Sequence, residues 1–271
     1  MRTYLLPLLL LTWWGSPLAA QPNCEAYKAQ GDLTKYAACQ QSEKTRFYYQ
    51  FSKEYQEILD TALAIDPTFA HAYRAKSTAY LKSGDFVTWK ELIDNAVTYD
   101  TLDNIGYRGW CRFQFFRDYQ GAIADIEYLE STIPGIIGFS ANGDYNLRFV
   151  KGLCYRGLGD VDAAISVMKN CLARPKYYVE KYDYLHLGAA YLDRGDYDLA
   201  EKYLNLQLEN YDIAECRYYL AFLAKQKRDE EQFNVHKEKA LALHKTGYKI
   251  ADPYVEYLDQ VGIGTIEALR Y

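Results

Sequence analysis

The sequence predicts an all-α fold, a solenoid of stacked helix–turn–helix units, on three observations. Turn signals recur along the chain: Ser83-Gly84-Asp85-Phe86, Arg117-Asp118-Tyr119, Gly159-Asp160-Val161, Gly195-Asp196-Tyr197 and Arg228-Asp229. Their aspartates are 33, 42, 36 and 33 residues apart, one period near ~34 with about eight extra residues in the second gap. Small residues then dominate two positions of the period. Four after each Asp come Trp89, Ala122, Ala164, Ala200 and Phe233; eight before come Ser77, Trp110, Gly152, Gly188 and Ala221. Small side chains on two antiparallel helices let the backbones approach, while large apolar neighbours three and four residues away fill the flanks. No segment, finally, shows sustained strand alternation.

Taken in order, residues 1–20 read as a signal peptide. Arg2 supplies the charge, Leu5 to Trp14 the apolar core, and Gly15 to Ala20 the small-residue cleavage region. The core is about 10 residues, short of the ~20 that span a bilayer. Cleavage is expected after Ala20, leaving Gln21 first and the mature chain exported, periplasmic or secreted. Residues 21–67 predict a helical hairpin, Asn23 to Ala38 about Gly31-Asp32. A degenerate first helix follows around Tyr36 to Phe51, and then a helix ending in Ala62-Leu63-Ala64-Ile65-Asp66-Pro67. Residues 68–131 and 145–247 carry the repeats, in which each Asp caps the second helix of a pair. Between them, 132–144 is an insertion. Its Pro134 to Gly143 stretch, with Ile136, Ile137 and Phe139, either packs on the stack or binds. Residues 248–271 predict a capping helix and tail. The helix starts at Asp252-Pro253, runs through Val261 and ends at Gly262.

Hydrophobic residues make up 49% and charged residues 25% of the chain, which excludes long-range disorder. A net charge of −5 lacks the basic footprint of a nucleic-acid binder. Tyr is abundant, with 28 in 271 residues, and most are expected to pack between helices. Of the six cysteines, Cys24 and Cys39 are each seven residues from the Gly31-Asp32 turn. That sets them level across an antiparallel pair, and an oxidising compartment would bond them. Cys154 and Cys171 are offset by five residues about their turn, roughly 7.5 Å along the axis, too far to bridge. They, Cys111 and Cys216 are expected to be small buried residues. The histidines, His71, His186, His236 and His244, form no H-E-x-x-H, and there is no C-x-x-C, phosphate-binding loop or nucleophile elbow. His236 and His244 are ~12 Å apart along a helix. No enzyme activity, metal or cofactor is predicted.

Tyr184-x2-Leu187-Gly188-x2-Tyr191 followed by Ala200-x3-Leu204 resembles the tetratricopeptide repeat family: aromatic, Leu-Gly, Tyr, Ala, large apolar. The unit with Gly152, Tyr155, Ala164 and Met168 is similar. The units of Asp85, Asp118 and Asp229 keep the phase, while Trp89, Trp110 and Phe233 depart from the pattern. The resemblance covers roughly residues 36–247. It implies a right-handed superhelical solenoid with a concave groove lined by each unit's first helix. Carried over unit by unit, it selects Arg74, Thr78 and Lys82; Tyr107, Cys111, Gln114 and Phe115; Phe149, Leu153 and Arg156; Tyr182, Leu185 and Ala189; Tyr218, Phe222 and Lys225. The wall is aromatic with scattered cations, suited to a protein or extended peptide. Some family members clamp a C-terminal carboxylate with Asn at groove positions; Thr78 and Cys111 stand there, so that mode is not expected. The alternative is a small-ligand or glycan receptor using the Tyr-rich wall and the 134–143 loop.

Overall fold

In the computed structural model, which describes residues 22–135 and 137–271, the five aspartates of the turn signals each cap a helix. Their carboxylates accept the backbone N–H of Thr88, Gly121, Ala163, Leu199 and Gln232, satisfying donors that a helix start leaves open. The residue before each Asp is left-handed: Gly84, Arg117, Gly159, Gly195 and Arg228 have φ of 85, 54, 85, 80 and 60°. One such residue reverses the chain between the two helices of a pair. The expected leader, its cleavage point between Ala20 and Gln21, and Ile136 lie outside the described residues.

The chain divides into two units, one up to Ala79 and one from Tyr80 to Tyr271. The first contains α1 (Cys24–Ala29), α2 (Leu33–Ser42), α3 (Lys53–Ile65) and the start of α4 (Ala70–Ser83). Cys24 and Cys39 are disulfide-bonded with Cα atoms 5.5 Å apart, and they share a core with Leu59, Ala62, Phe69 and Ala72. The helix expected around Tyr36 to Phe51 is broken. α2 stops at Ser42, a 3-10 turn covers Glu43–Phe47, and Tyr48 is extended. The hydroxyls of Ser42 and Thr45 donate back to the carbonyls of Cys39 and Ser42, and Ser52 caps α3. These polar side chains stabilise the interruption.

The second unit continues with α5 (Phe86–Tyr99), α6 (Thr101–Cys111), α7 (Tyr119–Thr132), α8 (Leu147–Gly157), α9 (Val161–Leu172), α10 (Asp183–Arg194), α11 (Tyr197–Asn210), α12 (Ala214–Lys227), α13 (Glu230–Lys245) and α14 (Ile263–Ala268). It is an all-helical solenoid: α6 packs on α7, α8 on α9, α10 on α11 and α12 on α13, and each pair packs on the next. No strand occurs among the described residues. A lone bridge, Phe139 to Asn146, closes the insertion, inside which Ile137 is buried and Phe139 exposed.

The small positions act by close approach. A Cβ at Gly152 would lie 2.8 Å from Met168 Cγ, and one at Gly188 would lie 2.8 Å from Leu204 Cγ and 3.2 Å from its backbone nitrogen. In the Asp118 unit the expected position holds Trp110, yet the close approach belongs to Gly109, whose added Cβ would meet Asp125 Cβ at 3.0 Å. A π-helical turn, Arg112–Phe116, follows α6 and shifts the register by one residue. That turn also stacks Phe116 on Trp89, with ring centroids 4.6 Å apart, which accounts for a Trp where the next three units have Ala. Replacing Gly188 with Val is expected to destabilise the second unit by about 1–3 kcal/mol, since the added methyls meet the backbone of α11. Chemical denaturation checks this; a stability equal to wild type would contradict the packing.

The helix expected from Asp252 through Val261 does not form. Residues 249–262 are irregular, and the terminal helix is α14, with Gly262 as its N-cap rather than the end of a preceding helix. Two local features explain this. The Asp252 side chain accepts Tyr254 N–H in a tight turn, and Asp259 is left-handed at φ 63°, a conformation Asp tolerates but a helix interior does not.

Candidate functional site

The first helices α6, α8, α10 and α12 lie side by side, and the irregular segment 250–261 runs along them. Both of its ends are held by one side chain. Glu215, on α12 and buried, accepts Ile250 N–H at 3.1 Å and Val261 N–H at 3.4 Å. Between these points Arg117 donates to the Glu256 carbonyl at 2.7 Å, and Lys82 sits 5.0 Å from the Tyr254 ring centroid.

Asp259 is the centre of the contact. Its side chain is 3% exposed. Arg156 of α8 forms an ion pair with Oδ2, His186 Nδ1 of α10 lies 2.7 Å from the same oxygen, and Tyr219 of α12 donates to Oδ1 at 2.8 Å. Three successive first helices thus converge on one carboxylate. Burial pushes the Asp259 carboxyl up, but the Arg156 guanidinium and the bond from His186 outweigh it and hold it well below the usual range. Arg156 also donates to Asp193 at 2.6 Å, so the guanidinium is oriented independently of the segment. Two residues upstream, the Tyr257 hydroxyl donates to Asp144 at 3.2 Å and accepts from Asn142, both in the segment leading into α8. Its ring lies 6.1 Å from that of Tyr145, and Tyr145 shares a hydrogen bond with His186 Nε2 at 3.1 Å.

The Tyr145–His186–Asp259 relay has the connectivity of a general-base system, but with residues 250–261 in place His186 is fully buried and Tyr145 is 1% exposed, so neither is open to a reacting atom. The arrangement binds a carboxylate, a phenol and a main-chain carbonyl. Among the described residues no group of three or more His, Cys, Asp or Glu is placed to hold a metal, and no helix is long and apolar enough to cross a membrane.

Of the residues that sequence selects for a groove, Arg156 and Lys82 contact the segment directly, and Tyr218 packs on the cluster that holds its last residue, Val261. Tyr182 is buried in a belt of aromatic rings with Tyr145, His186 and Tyr211. Phe149 is fully buried and Gln114 is buried. Phe115 packs edge-on against Trp110, and Tyr107 lies 6.1 Å from the same ring. Tyr218 packs with Val261 and Ile266, and Phe222 is half-buried on α12. Lys225 donates to the Arg270 carbonyl. Arg74 and Thr78 lie on α4 in the first unit, where the Thr78 hydroxyl donates to the Arg74 carbonyl at 3.2 Å. His186, Tyr219, Glu215 and Asp259 were not among the selected residues. His186 neighbours the selected Leu185, and Tyr219 the selected Tyr218, so the sequence reading is one residue out of phase on α10 and α12 and in phase on α8.

A separate cavity of about 590 Å³ is lined by Phe86, Val87, Trp89, Arg108, Arg112 and Phe116 among others. Its guanidinium groups are already paired, Arg108 with Asp94 and Asp125, Arg112 with Asp118 and Asp125.

Two buried carboxyls make this unit sensitive to pH. Burial raises Asp183 to about 7, against bonds from Glu180 N–H and Tyr177 O–H, and raises Glu215 to about 7. A carboxyl raised by folding stabilises the fold fully below its ordinary value of ~4, and that contribution is lost as pH rises through its folded value. Going from pH 6.5 to 8 is therefore expected to cost about 1 kcal/mol for each carboxyl, lowering the melting temperature by several degrees. Asp183→Asn should abolish about half of the drop; equal melting temperatures at the two pH values would contradict both assignments.

The tetratricopeptide repeat family model matches residues 145–176 and 184–211. Among solved structures, that of pilF from Pseudomonas aeruginosa is 16% identical with a TM-score of 0.59, over 79% of this chain and 93% of that one. PilW, a widely conserved type IV pilus biogenesis factor, is 14% identical with a TM-score of 0.56, over 82% and 90%. The Cut9–Hcn1 hetero-tetramer of the APC/C is 18% identical with a TM-score of 0.57, over 82% of this chain and 43% of that one. No curated protein matches the sequence. At these identities the likeness is one of fold, and it agrees with the helix pairs, the capping aspartates and the two close-approach glycines: the chain carries tetratricopeptide repeats at 145–176 and 184–211, within an all-helical solenoid.

Proposed function

We propose that this protein is an exported protein-interaction scaffold that holds an extended polypeptide segment against the first helices of its repeats and performs no chemistry. One observation carries the reading: α8, α10 and α12, with Arg117 and the insertion beside them, already grip a non-helical segment, the chain's own residues 250–261, through a carboxylate, a phenol and a main-chain carbonyl. Pairing of stacked first helices with extended chain is what a repeat face of this kind offers. Export is supported by the leader-like residues 1–20 and by the Cys24–Cys39 bond, which belongs to an oxidising compartment. Of the proteins with this fold, Cut9–Hcn1 is a hetero-tetramer and PilW is a type IV pilus biogenesis factor.

A photocrosslinking residue at Phe222, on the face, is expected to capture a discrete protein in the exported fraction, and the same residue at Tyr128, exposed on α7, is not. Equal labelling at both positions, or none at Phe222, sinks the reading. The exported chain is expected to begin at Gln21 by mass spectrometry; an intact leader on all of the protein removes the export assignment.

A small-ligand receptor is the second reading, favoured by the cavity at Phe86, Trp89 and Phe116 rather than by the Tyr-rich wall. Its two guanidinium groups are internally paired and its apolar walls are largely aromatic, so it suits a neutral aromatic guest. Saturable quenching of Trp fluorescence by 1-naphthol, lost in Val87→Arg, would favour it.

A further inference from the structure

We propose that residues 250–261 are an internal ligand, and that the face they cover accepts in their place a looped, non-helical peptide from a partner, with an aromatic residue two positions before an aspartate, as in Tyr257-Leu258-Asp259. This rests on the scaffold reading above and adds the chemistry of the partner and the device that controls access.

The receiving groups are independent of the segment. Arg156 is oriented by Asp193, His186 by Tyr145, and Asn142 and Asp144 belong to the insertion, where Asn142 bonds to Ser140 and Asp144. A segment that leaves therefore vacates a formed socket. What it contributes is mostly polar. Ile250, Tyr257 and Val261 are its buried side chains, while Ala251, Pro253, Tyr254 and Glu256 are exposed. The Arg156–Asp259 pair gains its attraction at the cost of taking two charges out of water, and release to solvent returns most of that cost. The segment has no helix or strand of its own, and its two ends converge on a single carboxylate, Glu215. That is the anatomy of an Ω-loop, a compact segment whose two ends lie close together. A peptide with the same carboxylate and phenol makes the same contacts, so exchange is controlled by concentration. A tethered segment acts at an effective concentration on the order of millimolar, which keeps the face closed until a partner offers more contacts.

The test uses the full chain and, as probe, a fluorescein-labelled synthetic peptide of residues 251–262. By anisotropy, Asp259→Ala is expected to bind the peptide about a hundredfold more tightly than wild type, because the tethered competitor has lost its anchor. The peptide carrying Ala at its own Asp259 position is expected not to bind. A folded Asp259→Ala chain, with helical circular dichroism intact, that binds no more tightly than wild type overturns the proposal. So does a wild-type chain that runs as a dimer, with a second copy supplying the segment. Should Asp259→Ala not fold, wild type carries the test: millimolar peptide is expected to speed hydrogen exchange at the Ile250 and Val261 amides, and unchanged exchange overturns it. Crosslinking at Phe222 without peptide binding defeats this inference alone; absence of both defeats the scaffold reading too.

Discussion

Replacing Arg156 with Ala is expected to release residues 250–261 from the face of α8, α10 and α12. The substitution leaves the Asp259 carboxylate buried with His186 and Tyr219 as partners and no full positive charge from α8. Breaking a buried pair by removing one member costs about 3–5 kcal/mol, because the remaining charge has lost its compensation. Two surviving hydrogen bonds place this case near the lower end, about 3 kcal/mol, and departure of the segment into water caps it there. Expressed as hydrogen exchange, the amides of Ile250 and Val261 lose about a hundredfold of protection, while those of α8 to α13 change little. The double variant Arg156→Ala with Asp259→Ala is expected to cost less than the sum of the two single changes, since no buried charge is left unpaired. Unchanged protection of the segment in Arg156→Ala would show that the apolar contacts of Tyr257 and Val261 hold it, and the charge does not.

Removing the disulfide, as Cys24→Ser with Cys39→Ser, is expected to destabilise the first unit by about 3 kcal/mol. The bond closes a loop of 15 residues, and the entropy it removes from the unfolded chain is worth about 3 kcal/mol for a loop of that size. The unit has little else to draw on. Its buried core is Leu59 and Phe69 with alanines and the two cysteines, flanked by partly buried Tyr27, Tyr36, Tyr55 and Leu63, and a small core leaves little margin against chain entropy. Exchange protection in α1 and α2 is expected to fall most. Reduction of the wild-type chain should reproduce the result; a unit that melts at the same temperature oxidised and reduced would contradict it.

The repeat frame was legible because it is built from local rules. A capping Asp follows a left-handed residue, and a small residue recurs where two helices touch, so each signal lies within one helix pair of the residue it governs. Gly152 and Gly188 are read correctly for that reason. Trp110 is misread because the π-helical turn at Arg112–Phe116 adds a residue to the count, and nothing in the composition of Arg-Phe-Gln-Phe-Phe marks an extra residue per turn. The site was legible only in part. Arg156 and Lys82 fall on the right face, whereas Phe149 and Tyr182 turn inward into the core.

By itself the sequence determined the helical class, the period, the capping aspartates and the pairing of Cys24 with Cys39, all of which follow from spacings of about one repeat or less. Tertiary structure alone decided that residues 250–261 abandon the helix suggested by Asp252-Pro253 and lie along the stack. The physical reason is range. A helix there would gain a few backbone bonds from neighbours in sequence. Asp259 instead meets Arg156, His186 and Tyr219, which are 103, 73 and 40 residues away, and a charge satisfied from three helices at once outweighs local propensity.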